Sequence, residues 1–154
     1  MRILAADFGD ARTGLAICDS SETIASPIGN ADGKGIHGTA EAVARTAEER
    51  RAELVVVGLP VNMDGTEGKR AEKCRTFAGA LRSELEGTGI DVVLWDERNT
   101  TVQAYRNLLD AGVPGSKKRG IIDSEAARII LDSYMSYRRN QASRESGNEK
   151  GILE

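Results

Sequence analysis

The chain has 154 residues, of which 40% are apolar and 29% charged, and its formal net charge is -3. This composition indicates one globular domain and excludes a wholly disordered or collagen-like chain. No apolar run approaches the roughly 18 residues that span a bilayer, so we expect a cytoplasmic protein. The acidic balance disfavours binding to nucleic acid through bulk positive charge but leaves room for a local basic groove. Cys18 and Cys74 lie far apart without a CxxC motif, and we expect two small buried apolar residues rather than a disulfide or zinc ligands.

The N-terminal third predicts a three-stranded meander followed by a helix. Residues 2–6 and 13–18 are short apolar runs separated by a turn rich in Gly and Asp, which is typical of a β-hairpin. Residues 23–28 can add a third strand, and this strand should lie at the edge because Pro27 cannot donate a ladder hydrogen bond. After a Gly-rich loop, alanines recur at helical spacing up to about Ala52.

The middle of the chain predicts strands that alternate with helices. Residues 54–58 form a continuous β-branched run, as expected of a central strand covered on both faces. Residues 90–95 predict another strand, and the helix between the two carries an apolar stripe from Ala71 to Leu85. This order predicts an α/β fold, with a mixed sheet, helices on both faces and right-handed crossovers between the later strands.

Two further helices are predicted near the C-terminus. The first begins at Thr100 or Thr101 and should turn four residues inward: Val102, Tyr105, Leu108 and Leu109. After a loop at 112–120, the last helix should start near Asp123, for which N-capping is the simplest role. The polar residues 140–154 are expected to form a disordered tail, so that residues 1–139 make up a single domain.

Three carboxylates occur where predicted elements end or begin. Asp7 follows the first strand and precedes Gly9, Glu97 follows the last strand, and Asp123 precedes the last helix. Each has a purely structural interpretation on its own, in a turn, at a helix dipole or as an N-cap. Sites in such sheets lie outside the carboxyl ends of the parallel strands, and the three acids together indicate a site for a hard cation there. Carboxylates without His or Cys suit Mg²⁺ or Mn²⁺.

Several basic residues are expected to frame the same edge of the sheet and to contact the phosphates of a nucleic acid. They are Arg12, Lys69, Arg70, Arg98, Lys117, Lys118 and Arg119. Arg98 can either fork to a phosphate or hold Glu97 in place. The alternative interpretation of the run at 117–119 is ordinary solvated surface.

Four motifs in one order carry a family resemblance. They begin at Asp7 (Asp-x-Gly-x-x-Arg-x-Gly), at Gly58 (Gly-Leu-Pro-x-Asn-Met-Asp-Gly), at Asp96 (Asp-Glu-Arg-x-Thr-Thr) and at Asp123 (Asp-Ser-x-Ala-Ala-x-x-Ile-Leu). In this order the sequence resembles the YqgF family of RuvX-like Holliday junction resolvases and pre-ribosomal RNA nucleases, over residues 1 to about 137. Each motif alone is weak evidence for the family. All four occur in the family's order, which argues against chance similarity.

The resemblance implies an RNase H-like fold, whose five-stranded sheet has the order 3-2-1-4-5, and a nuclease site. At the matching positions Asp7, Glu97 and Asp123 would be both the catalytic acids and the metal ligands, with Mg²⁺ or Mn²⁺ as cofactor. Departures from the family pattern fall at Phe8 and Asp10 in the first turn.

The implied strand order creates a geometric problem for the acids. It places the strand before Glu97 two positions from the strand before Asp7, so the backbones lie about 10 Å apart. The strand between them ends in Gly58-Leu59-Pro60 and brings no acid. Side chains must therefore lean across a gap, and one ion or a substrate-dependent pair is as consistent with the sequence as a preformed site.

The resulting hypothesis is a metal-dependent nuclease that hydrolyses phosphodiester bonds in structured nucleic acid, with 5'-end processing of pre-16S rRNA as its role. Asp7 would be the shared ligand, Glu97 a ligand or water-positioning group, and Asp123 the closing ligand.

Three alternatives stay open at the level of sequence. A Holliday junction resolvase acting on branched DNA would need two active sites and hence a homodimer. A non-catalytic module for RNA or ribosome assembly would keep the fold and use the same edge for binding. The pair Asp7-x-Gly9 also resembles the phosphate-binding turn of actin-like and sugar kinases, but that fold needs two lobes and the chain supplies one. Both RNA and DNA present phosphates, so the sequence does not choose between them.

Overall fold

A computed structural model describes residues 1–111 and 116–153, with side-chain surroundings for 1–111 and 123–147. Its strands are β1 (Ile3–Asp7), β2 (Gly14–Cys18), β3 (Ala25–Asn30), β4 (Leu54–Leu59) and β5 (Asp91–Asp96). They form one sheet in the order β3-β2-β1-β4-β5. The β1-β2 and β2-β3 pairs are antiparallel, whereas β4 pairs in parallel with both β1 and β5. The predicted fold class and strand order are confirmed.

Helices cover both faces of the sheet. They are α1 (Gly35–Glu49), α2 (Lys69–Glu84), α3 (Val102–Asp110) and α4 (Ser116–Leu153), and a short 3₁₀ turn (Glu97–Asn99) precedes α3. The residues of β4 are all buried, as a continuous apolar run between two covered faces should be. One core cluster contains residues of α1 and α2, and the other contains residues of α3 and α4.

Strand alternation decides which face of the sheet Asp7 occupies. In β1, Leu4 and Ala6 belong to the cluster under α1 and α2, whereas Ile3 and Ala5 belong to the cluster under α4. Because side chains alternate with a period of two, Asp7 falls on the α4 face at the carboxyl end of the strand.

The inward face of α3 differs from the prediction. Val102 is fully buried, but Leu108 is 76% exposed, so its predicted place in the core is wrong. Residues four apart share one face of a helix, and Arg106 therefore lies on the same face as Val102. The apolar pattern of this helix was misleading because its inward face carries a charged residue.

The last helix is longer than predicted at both ends. It begins at Ser116, inside the predicted loop 112–120, so Asp123 lies within the helix and is not its N-cap. It also continues to Leu153, through the tail expected to be disordered. The segment contains no proline, and a glycine costs a helix only about 1 kcal/mol. Residues 142–147 are exposed, which explains why no apolar periodicity marks this part of the helix.

Both cysteines have the predicted structural role. Cys18 and Cys74 are buried free thiols, and burial raises the pKa of Cys74 to about 12. Phe8, a departure from the family pattern, stacks on Phe77 with ring centroids 4.6 Å apart. Among the described residues, no helix is long and apolar enough to cross a bilayer.

Trp95 connects the end of β5 to α4. Its indole Nε1 donates to Ser133 Oγ at 3.0 Å, and Ser133 Oγ donates to the carbonyl oxygen of Asn99 at 3.0 Å. The ring also contacts Tyr134 edge-on, with a centroid distance of 5.4 Å. The 3₁₀ turn that carries Glu97 is thereby tied to α4.

Candidate active site

Two glycines in the β1-β2 hairpin bring Asp7, Arg12 and Asp123 to one place. A Cβ at Gly9 would lie 2.6 Å from the carbonyl oxygen of Arg12, so the turn closes only without a side chain there. Gly14 pairs with Asp7 across the hairpin, and a Cβ at Gly14 would collide with the backbone carbonyl of Asp123. The backbone of α4 therefore packs directly on β2 beside the end of β1.

Gly58 lets Glu97 reach across the intervening strand. A Cβ at Gly58 would lie 2.8 Å from Glu97 Oε1 and 2.7 Å from Ile130 Cδ1. The Glu97 side chain thus occupies the space above β4 that a side chain at position 58 would fill. This arrangement resolves the gap of about 10 Å between β1 and β5.

Arg106 joins Asp7 and Glu97 in a buried cluster. Its Nη2 donates to Asp7 Oδ1 at 2.6 Å and to Glu97 Oε1 at 3.4 Å, and its Nη1 donates to Glu97 Oε2 at 3.0 Å. The side chains of Arg106, Asp7 and Glu97 are only 13%, 8% and 6% exposed. The sequence prediction missed Arg106, although its spacing of four from Val102 is the signal that places it on the inward face of α3.

Burial dominates the electrostatics of this cluster. Burial, assisted by the charge of Glu97 and opposed by that of Arg106, raises the pKa of Asp7 from its ordinary 3.8 to about 6. For Arg106, burial acts to lower the pKa, but the charges of Asp7 and Glu97 outweigh it and raise the pKa above its ordinary value. The arginine therefore stays charged, and Asp7 is ionised at neutral pH.

Asp123 lies beside this cluster with a partner of its own. Its Oδ2 accepts a hydrogen bond from Arg12 Nε at 3.0 Å, and both side chains are about 30% exposed. A cavity of about 500 Å³ contains Asp7 and Asp123 in its lining, together with Arg12, Arg70 and Arg106. Within the residues described, no three acidic, His or Cys side chains are grouped closely enough to hold a metal. The structure thus brings Asp7 and Glu97 into one cluster around Arg106. Asp123 lies outside that cluster, in the wall of the cavity that Asp7 also lines.

The other basic residues take different positions. Lys69 and Arg70 are exposed at the start of α2, and the charge of Arg70 acts on Asp7. Arg98 is held by Asp96, with Nε-Oδ2 and Nη2-Oδ2 distances of 3.0 and 2.8 Å, so it does not hold Glu97. The side chains of Lys117, Lys118 and Arg119 lie outside the part of the structure whose side chains are described.

The donor set fits a hard divalent cation. Asp7 and Glu97 offer carboxylate oxygens that already converge on one cationic nitrogen of Arg106. Mg²⁺ and Mn²⁺ prefer oxygen ligands of this kind and are commonly bound through one or two carboxylates with waters completing the shell. The assignment of Asp7, Glu97 and Asp123 as metal ligands stays a prediction.

The raised pKa of Asp7 predicts a pH-dependent stability difference between the protein and its Asp7→Asn variant. Because the folded-state pKa of about 6 exceeds the unfolded value, this carboxyl stabilises the fold below its unfolded pKa, and that contribution is lost as the pH rises through 6. In EDTA, the free energy of unfolding of the variant minus that of the parent should grow by about 2 kcal/mol between pH 4 and pH 7. Urea denaturation of both proteins measures it, and a difference that stays constant or shrinks would contradict the raised pKa.

Strand order, covered faces and acids at the carboxyl ends of β1 and β5 define an RNase H-like fold. The structure of Thermus thermophilus RuvC in complex with a Holliday junction substrate superposes on it with a TM-score of 0.57 at 17% identity, over 90% of this chain and 96% of that one. That likeness concerns the fold. The chain belongs to the YqgF family, since residues 1–137 match the family described as "RuvX: Holliday junction resolvase".

Curated relatives agree with this membership. A protein of Caldanaerobacter subterraneus is 43% identical over 142 residues, covering 91% of this chain and 99% of its own. A protein of Myxococcus xanthus is 40% identical over 139 residues, covering 90% of both chains. Each carries the name "Putative pre-16S rRNA nuclease".

Proposed function

We propose that the protein is a metal-dependent nuclease that hydrolyses phosphodiester bonds in structured RNA and processes the 5' end of precursor 16S rRNA. The observation that carries this proposal is the convergence of Asp7 and Glu97, from the ends of β1 and β5, on one buried position. The names of the two relatives support the choice of substrate. A substrate of this kind also agrees with the cytoplasmic location expected from the sequence.

Asp7, Glu97 and Asp123 would each have a role that follows from their position. Asp7 and Glu97 would hold the Mg²⁺ or Mn²⁺ ion, and Asp123 would close the site from the wall of the cavity that Asp7 also lines. When bound there, the ion would supply acidity to the attacking water and positive charge to the leaving oxygen. Burial of Asp7 and Glu97 keeps their charges poorly screened by solvent, which strengthens their interaction with a cation.

Local positive charge would hold the substrate. Arg12 and Arg70 line the cavity that contains Asp7, and Lys69 and Arg98 are exposed nearby on the adjoining elements. These side chains, with Lys117, Lys118 and Arg119, would contact phosphates of the backbone and position the scissile bond. Since the protein as a whole has a net charge of -3, this local attraction should weaken strongly with added salt.

A second candidate function is Holliday junction resolution. It is favoured by the description of the family and by the superposition on a RuvC bound to a junction. Symmetric cleavage of a four-way junction needs two active sites, so this activity would require a homodimer. A non-catalytic RNA-binding role would use the same surface without cleavage.

Cleavage of two substrates by one preparation distinguishes these functions. A precursor 16S rRNA fragment with its 5' flank and a four-way DNA junction should each be incubated with the protein in Mg²⁺, in Mn²⁺ and in EDTA. We expect cleavage of the RNA at one discrete site, with either metal and not in EDTA. Cleavage of the junction alone, by a fraction of dimer size, would favour the second candidate. Binding of RNA without cleavage in either metal would contradict a nuclease.

A further inference from the structure

Arg106 is a buried cation that the proposed reaction does not use. Its side chain is only 13% exposed, and its guanidinium contacts both members of the Asp7-Glu97 pair. Removing an arginine from water is costly, and the cost is offset only when its partners are well placed. Here the partners are the two carboxylates proposed to hold the metal.

The guanidinium and a divalent ion need the same oxygens. Arg106 engages both oxygens of Glu97 and Oδ1 of Asp7, and a single nitrogen, Nη2, contacts both carboxylates. Mg²⁺ holds carboxylate oxygens at about 2.0 to 2.1 Å. A divalent ion held by both side chains would need oxygens that the guanidinium now uses, and it would lie close to a second positive charge. The two cations therefore compete for this pair of carboxylates.

We propose that Arg106 is the resident counter-ion of the Asp7-Glu97 pair and that a divalent cation must displace it to bind. This inference rests on the proposed function, because it concerns the same two carboxylates. In the metal-free protein, Arg106 holds two buried like charges together and keeps both side chains in place. The ion pairs that do so also weaken metal binding, since they must break first.

The surroundings of Arg106 allow this displacement. Besides Arg106, the buried residue of α3 is Val102, at the start of the helix, whereas Gln103, Ala104, Asn107 and Leu108 are exposed. Arg106 also lines the 500 Å³ cavity that contains Arg12 and Arg70. A guanidinium released from the acids therefore has room in that cavity, where it joins two cations suited to a phosphate.

Metal affinity without substrate tests the proposal. Titration of Mn²⁺ into the metal-free protein by calorimetry should give a dissociation constant about tenfold lower for Arg106→Gln than for the parent. Arg106→Lys keeps the charge but loses the fork that spans both carboxylates, so its affinity should lie between the two. In EDTA, Arg106→Gln should melt at a lower temperature than the parent and gain more from saturating Mn²⁺.

A matched control is available on α4. Arg128 pairs with Glu125 at 2.8 Å and with Asp132 at 2.6 Å, and it lines a different cavity from the one that contains Asp7. Arg128→Gln removes the same charge from the protein and should leave the Mn²⁺ dissociation constant unchanged. Asp7→Asn should abolish the binding, which assigns the measured ion to this site.

The possible results separate this inference from the proposed function. Equal or weaker Mn²⁺ binding by Arg106→Gln would overturn the counter-ion role and leave the metal site intact. If that variant does not fold, Arg106→Lys decides in the same way: tighter binding than the parent supports the proposal, and equal or weaker binding overturns it. If neither the parent nor any folded variant binds Mn²⁺, both the counter-ion role and the proposed metal-dependent nuclease are rejected.

Discussion

Replacing Asp7 by Asn is expected to lower metal-stimulated cleavage of precursor 16S rRNA by about 10³-fold, equivalent to about 4 kcal/mol of transition-state free energy. Asn offers one neutral oxygen where the parent offers a buried anion, so the site loses both charge and a ligand. Single-turnover cleavage rates at saturating Mn²⁺ measure this effect. The fold should persist, because the variant also removes a carboxyl that burial disfavours in its charged form.

Asp10→Asn is the matched control for this prediction. Asp10 lies three residues away, in the same hairpin turn, and its exposed carboxylate pairs with Lys73 at 3.0 Å. The substitution removes one negative charge from the same turn without touching the acid cluster, and cleavage should stay within about twofold of the parent, as expected for a surface ion pair. Rates for Asp7→Asn that match those of Asp10→Asn would remove Asp7 from the catalytic site.

Replacing Gly58 by Ala is expected to lower cleavage by about 10²-fold, equivalent to about 2.7 kcal/mol, and to destabilise the fold by about 1 to 3 kcal/mol. The added Cβ would meet the ends of two side chains, Glu97 Oε1 at 2.8 Å and Ile130 Cδ1 at 2.7 Å. Both ends can move, but Glu97 is then drawn away from Arg106, so part of the buried ion pair is lost. Glu97 then no longer converges with Asp7, and displacements of about 1 Å at a catalytic group can cost this much activity.

Gly79→Ala separates this local effect from a general effect of added methyl groups. A Cβ at Gly79, inside α2, meets nothing within 4 Å. Alanine should stabilise the helix by roughly 0.5 to 1 kcal/mol and leave cleavage unchanged. Melting temperatures and single-turnover rates of both variants give the comparison. Full activity in Gly58→Ala would show that Glu97 does not need its place above β4.

The sheet could be predicted because each strand carries its own signal. The β-branched run of β4 predicted a central strand, and the Pro27 segment predicted an edge. Because β1 and β5 run in the same direction, their carboxyl ends placed Asp7 and Glu97 at the same edge of the sheet. No strand signal reports how a side chain crosses a neighbouring strand, so the role of Gly58 required the structure.

The helices near the site could be predicted less well, for two physical reasons. Apolar periodicity detects helices that pack, whereas α4 continues through residues 142–147, which are exposed and carry no apolar pattern. On α3 the inward position after Val102 is held by Arg106, a charged residue stabilised by two ion pairs. A hydrophobic pattern predicts that a charged residue faces solvent. It therefore predicted Leu108 on the inward face, where the structure has Arg106.

Trp95, held by its hydrogen bond to Ser133, is a native fluorescent probe close to Glu97 in the chain. Trp95 is the sole tryptophan of the sequence and lies two residues before Glu97, with its indole tied to the helix that carries Asp123. Its fluorescence therefore originates where β5 meets that helix, so spectral changes during a titration can be attributed to one location without attaching a dye.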